Sequence, residues 1–134
     1  MSLFGALGIS GSGVDAAQSW LNTTASNIAN ANDTTSTAST VYAPEAPFFT
    51  PINTSGQAGN AVEVSSVQYG SNLGLIQSDP TNPLADSSGN VRVTDVSVSE
   101  QLTNLISAQN LYEANTNALA QAKEVYSSAL TIGR

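Results

Sequence analysis

The chain contains no cysteine and no histidine. Thiol chemistry, disulfides and the usual transition-metal sites are therefore excluded, and no cofactor is expected. Charge is scarce too. Charged residues make up 10 % of 134, against roughly a quarter of an average soluble domain. The net charge is −7, and its distribution is lopsided. Residues 1 to 91 carry only acids (Asp15, Asp33, Glu45, Glu63, Asp79 and Asp86), while the cations are Arg92, Lys123 and Arg134. Nucleic-acid binding needs clustered cations to displace phosphate counterions, so no nucleic-acid partner is expected. No run reaches the ~20 apolar residues of a membrane span, so no membrane insertion is expected. The opening "MSLFGALGISGSGVD" lacks the cationic start of a cleaved signal peptide, so any export would use a route that reads something else.

What is present falls into three segments. In the first, Val14, Leu21 and Ile28 recur at sevens, with Ala17, Thr24 and Ala31 each three residues later. Large residues at one seam position and small ones at the other form a coiled-coil pattern. The beat extends back through Leu7 and Ser10, across Gly5, Gly8, Gly11 and Gly13. This predicts a firm helix over about 12–32, with a looser one before it. In the last segment Val98, Leu105, Tyr112, Leu119 and Tyr126 repeat the beat, followed by Ala108, Asn115, Ala122 and Ala129. A helix from about 99 to 131 is expected, with Ser99 as its N-cap and Gly133 as its stop. Matching seams imply an antiparallel pair.

The middle is richer in turn formers. All five prolines lie there, with Gly56, Gly59, Gly70, Gly74 and Gly89. "AVEVSSVQY" and "NVRVTDVSV" alternate as strands do, "DSSGN" is a turn signal, and "STASTVYAPEAPFFTP" reads as extended chain. The expected class is α+β: N- and C-terminal helices paired as an antiparallel coiled coil, with a small β-rich central insert projecting from one end. The expected units are residues 1–35, 36–95 and 96–134.

Candidate chemistry is thin. Asp79 and Asp86 are the closest carboxylate pair in a loop, but both flank turn residues and read as Asx-type turn chemistry. "GISGSGVD" lacks the lysine of a phosphate loop. Asp79, Asn82 and Asp86 do not match calcium-loop spacing. Tyr112 and Tyr126 fall on the seam, where core packing outranks ligand stacking. Trp20 sits beside the stripe, so it either widens that stripe or marks a second contact surface. No enzyme is expected.

"SNIANANDT" resembles the N-terminal helix motif of the axial proteins of the bacterial flagellum: rod, hook and hook–filament junction. Residues 79 to 134, with their Pro-x-x-Pro before a turn, valine strand and terminal "ALTIGR", resemble the proximal rod proteins of that family. The sequence departs from them at Tyr42, followed by Ala43 and Pro44 where basic residues are usual, and at Asn82 and Asn90, where His and Tyr are usual. The resemblance implies a structural rod subunit in the basal body, spanning the periplasm and exported uncleaved by the flagellar type III apparatus. Its partners would be copies of itself, other rod proteins and, in transit, that export apparatus. Another secreted helical-hairpin subunit, of an export apparatus or a surface filament, is the alternative. In such a wall charged side chains are costly to bury, so Asn27, Asn30 and Asn32 are expected as neutral contact residues. Asn115, on the seam, is expected to fix register. The helix-seam and subunit-packing set is thus Val14, Ala17, Leu21, Asn27, Ile28, Asn30, Ala31, Leu105, Ala108, Tyr112, Asn115, Leu119, Ala122, Tyr126 and Ala129.

Overall fold

Two long helices bracket five strands in the computed structural model, which describes residues 3–54 and 57–132. Helix α1 spans Leu3–Ala29. Strands β1 (Thr34–Thr35), β2 (Glu45–Thr54), β3 (Gln57–Tyr69), β4 (Leu75–Ser78) and β5 (Asn90–Val93) follow, and helix α2 spans Val98–Ile132. The α+β class and its terminal helices are as the sequence implies. Gly56, Gly133 and Arg134 lie outside the described residues.

Helix α1 differs from expectation at both ends. It begins at Leu3 and runs unbroken through its glycines. Packing overrides propensity here, because at Gly13 the missing side chain is needed: a Cβ would lie 2.6 Å from Cγ of Asn115 on α2. The helix ends at Ala29 instead of 32, in a tightened turn where the Ala31 amide donates to Ile28 O and the Asp33 amide to Asn30 O. Asp33 then holds the exit, its Oδ2 accepting from the Tyr42 amide and its carbonyl from the Thr94 amide.

Helix α2 starts at Val98, and its cap is Ser97 in place of Ser99. The Ser97 carbonyl accepts from the Gln101 amide and its Oγ from the Glu100 amide. Glu100 in the first turn suits the positive end of the helix dipole. Gly13 meets Asn115, and Asn27 meets Gln101. The same step along each helix is thus taken in opposite directions, so the pair is antiparallel.

Strands β2 and β3 form an antiparallel hairpin from Glu45↔Tyr69 to Thr54↔Gln57. Ser65 is the extra residue of a bulge, since Phe48 pairs with Ser66 and Phe49 with Val64. Of the stretch expected as extended chain, residues 45–51 are part of a bonded strand, despite Pro47 and Pro51. Prolines are tolerated in a strand with a free edge, and they blunt that edge against further pairing. The hairpin does not project from one end. It folds back along α1, with Glu45 at Asn27, Phe49 against Trp20 and the Val62 amide donating to Ser12 Oγ.

The second sheet has the order β1-β5-β4, both pairings antiparallel. It centres on buried Val41, Val91 and Thr94. The valine strand stops at Val93 because Thr94 turns away, its amide bonding Asp33 O and its Oγ1 bonding Tyr42 O. Arg92 ties two loops to this sheet, donating to the carbonyls of Leu73 and Thr37. Gly74 has φ +48° and a Cβ there would press on Val41 and the Val93 backbone, so only glycine suits the position.

Candidate assembly site

The asparagine-rich end of α1 carries the most heavily bonded side chain among the described residues. Asn27 is 2 % exposed. Its Nδ2 donates to Glu45 O at 2.8 Å and to Gln101 Oε1 at 3.0 Å. Its Oδ1 accepts from the Glu45 amide at 2.8 Å and from the Tyr42 hydroxyl at 2.9 Å. Two donors and two lone pairs are all that an amide has, and all are used. Toward Glu45 the side chain acts as a neighbouring strand would, pairing with both N–H and C=O of one residue. One residue thus joins α1, α2, β2 and the segment between β1 and β2.

Tyr42 completes the junction. Since its single proton goes to Asn27, it accepts from Ser26 Oγ at 3.0 Å. Burial is the main cause that raises its pKa, which keeps the hydroxyl in the protonated form the bond to Asn27 needs. Asn30 turns back on its own helix, Nδ2 donating to Ser26 O, and Asn32 is exposed. Asn27, expected to reach a neighbouring subunit, spends its whole capacity inside the chain.

Along the seam, Ala17 and Ala108 are fully buried and Ala122 is buried. Val14, Leu21, Ile28, Leu105, Tyr112, Asn115 and Leu119 are half-buried, as are Asn30 and Ala31, the latter in the turn after α1. Tyr126 and Ala129 are exposed.

Trp20 belongs to a second face of α1. Its ring meets that of Phe49 edge-on, with centroids 6.3 Å apart. Together with Ile9, Gly13, Ala16, Val62 and Leu111 they line an apolar groove of about 470 Å³ between α1, the hairpin and α2. Sequence reasoning missed the junction role of Gln101, and also Ser12 and Gly13. The only signal at Gly13 was a glycine in a helical repeat.

The loop between β4 and β5 is built by its aspartates. Asp79 accepts from Thr81 and Asn82 side chains, and Asp86 from the amides of Ser88 and Asn90 and from Thr37 Oγ1. These bonds lower both carboxyl pKa values. The turn chemistry expected for them is what they do. No three acidic side chains among the described residues are grouped to hold a metal ion, and no helix there is long and apolar enough to cross a membrane.

Residues 7–35 match the family described as "Flagella basal body rod protein", and residues 87–132 match "Flagellar basal body rod FlgEFG protein C-terminal". The chain is 34 % identical to flagellar basal-body rod protein FlgC of Salmonella typhimurium, with all of both chains covered. It is 32 % identical to the FlgC of Escherichia coli O157:H7, again over all of both chains. With the FlgC of Aquifex aeolicus it shares 34 % identity over 94 % of this chain and 93 % of that one. The chain belongs to the FlgC family of flagellar basal-body rod proteins. The first matched segment contains Asn27 and Ser26 of the junction, and the second contains Gln101. The β2–β3 hairpin lies between the matches.

Proposed function

We infer that this chain is a structural subunit of the flagellar rod in the basal body, and that its work is mechanical and not catalytic. Copies of it pack with other rod proteins into the shaft that crosses the periplasm and transmits torque, having reached that place uncleaved through the type III export apparatus. Family membership supports the rod assignment. The observation that carries the assembly reading is the outer face of α2. Leu102, Ile106 and Val125, off the row that faces α1, each expose about half of their surface or more, at 47 %, 59 % and 58 %. Large apolar side chains left open along one long helix mark a surface that another protein covers.

The same reading accounts for the neutral surface. Ser, Thr, Asn and Gln can pair across a wall at lower desolvation cost than Lys or Glu. Contacts supplied by neighbours would also add to a modest core, so assembly would stabilise the fold by mass action.

Ile106→Asp tests this. Being exposed, the position should change the unfolding free energy of the purified chain by no more than about 0.5 kcal/mol. Secretion should persist, and incorporation into basal bodies and swimming should be lost. Normal swimming with Ile106→Asp and Leu102→Asp together would remove the outer face of α2 from the assembly surface.

A further inference from the structure

The bonds at Asn27 also decide which way a neighbouring side chain points. The Glu45 amide can only donate, so the Asn27 atom that meets it at 2.8 Å is Oδ1. The other atom is then Nδ2, and the Gln101 atom that accepts from it at 3.0 Å must be Oε1. A backbone group two hydrogen bonds away thus sets the orientation of Gln101. Its Nε2 carries two N–H donors, and no acceptor among the described residues meets them. Gln101 is only 9 % exposed, and an unpaired donor on so buried a side chain calls for an explanation. Nε2 is not sealed in, since Arg92 Nε is the one fully enclosed side-chain atom without a partner among those described. It opens on the cleft that Gln101 lines, about 470 Å³ between the end of α1, the start of α2 and the base of the hairpin.

The charge around that cleft is of one sign. Glu45, half-buried, and Asp95 and Glu100, both exposed, line it. The described cations do not answer them: Arg92 donates to the carbonyls of Leu73 and Thr37, and Lys123 stands about 33 Å along α2 from Gln101. Trp20 and Tyr69 add aromatic faces, Tyr69 being 67 % exposed. An occupant that suits all three features brings an acceptor for Gln101, a cation for the carboxylates and a flat group for the rings. A metal ion offers no acceptor. An arginine in a peptide offers all three, because its guanidinium pairs with carboxylates, stacks on aromatic rings and comes with a main-chain carbonyl. We propose that this cleft takes an arginine-bearing segment of a different rod protein, its carbonyl accepting from Gln101 Nε2 and its guanidinium held by Asp95 and Glu100 beside Tyr69. A second copy is a poor occupant, since it carries −7 and its described arginine, Arg92, is already bonded within the chain. The proposal rests on the reading of the chain as a rod subunit and names the chemistry of one neighbour.

Photo-crosslinking in assembled basal bodies tests this. The probe is p-benzoyl-phenylalanine in place of Gln68, an exposed residue on the wall of the cleft. Cells are irradiated, basal bodies are isolated and the linked peptide is sequenced. The expected adduct joins a different protein, at a segment with an arginine within about three residues of the link, roughly 10 Å of chain. Asp95→Asn together with Glu100→Gln should lower its yield about three- to tenfold, as for partly exposed ion pairs, with urea unfolding of the purified chain unchanged. Gln101→Glu keeps an oxygen to accept from Asn27 and removes the donor, so it should lower the yield too. The exposed acidic pair keeps the test decisive should Gln101→Glu fold poorly. A yield that the acidic pair leaves intact overturns the proposal. So does an adduct with another copy, or with a segment that has no arginine. Incorporation without any adduct means that the cleft holds water only, which overturns the docking proposal and leaves the rod reading standing. Absence of the unaltered chain from basal bodies would overturn the rod reading itself.

Discussion

Helices α1 and α2 carry the same seven-residue device and meet different fates. Helix α1 is enclosed on two sides: Ala17 and Thr24 are buried in one row, and Ala16, Thr23 and Asn27 in another, with the hairpin laid along it. Helix α2 is covered along one row only. From Leu102 to Thr131 its less exposed positions are Asn104, Leu105, Ala108, Tyr112, Asn115, Leu119 and Ala122, and the rest of its surface is open. A common periodic pattern therefore specifies one contact face per helix. Whether a second face is covered within the chain depends on the segment between the helices. Here that segment serves α1 and leaves most of α2 open.

The largest effect should follow from breaking the junction that encloses α1. Asn27→Asp keeps the shape but replaces two donors by acceptors, facing Glu45 O and Gln101 Oε1. Buried groups left unpaired cost ≈ 1–3 kcal/mol each, more where a charge is involved. A loss of about 3 kcal/mol or more is expected in urea unfolding at neutral pH. A change under about 1 kcal/mol would mean that the hairpin and α2 hold α1 without Asn27.

That junction also marks what the sequence conceals. The seam is legible because apolar residues recur, and Ala17, Ala108 and Ala122, which the spacing puts on it, are buried. Asn27 was recognisable as unusual. Its target was not, because a side chain that pairs with the backbone of Glu45 leaves no pattern at position 45. Trp20 left two readings open for the same reason: its partner Phe49 lies in a strand that two prolines disguise. The glycines misled in the other direction. They argue against helix by propensity, yet Gly13 is there because Asn115 occupies its side-chain space. Ser97 and Ser99 are equally good caps by composition, and a two-residue difference in where the helix starts decides between them.

A middle-sized effect should separate the covered row of α2 from its open surface. Ala108 has no exposure, so Ala108→Leu must push the helices apart or force a strained rotamer, costing typically 1–3 kcal/mol. Ala122→Leu, 9 % exposed near the edge of the paired region, should be milder. Ala118→Leu is on the open surface and should stay within about 0.5 kcal/mol in the purified chain. Unfolding by circular dichroism orders the three. Equal losses at 108 and 118 would erase the distinction between a covered and an open face.

The smallest net effect tests where the two helices touch most closely. At Gly13, alanine gains roughly 0.8–1 kcal/mol of helix propensity. It also displaces the Asn115 amide, whose Nδ2 donates to Leu111 O at 2.8 Å, so the gain is offset by a lost bond and a shifted side chain. Gly13→Ala alone should therefore be neutral or destabilising. With Asn115→Ala already in place nothing at that position obstructs the new Cβ, and Gly13→Ala should stabilise by close to its full propensity gain. The double-mutant cycle then yields a coupling of at least about 0.5 kcal/mol between residues on opposite helices. Such coupling would give physical content to Asn115 as a register-fixing residue: it fits over α1 where a glycine stands, and a helix slipped by one turn would set it against Ile9 or Ala17. Additive effects at the two positions would mean that Asn115 moves aside freely, and that register is held by the Asn27 junction alone.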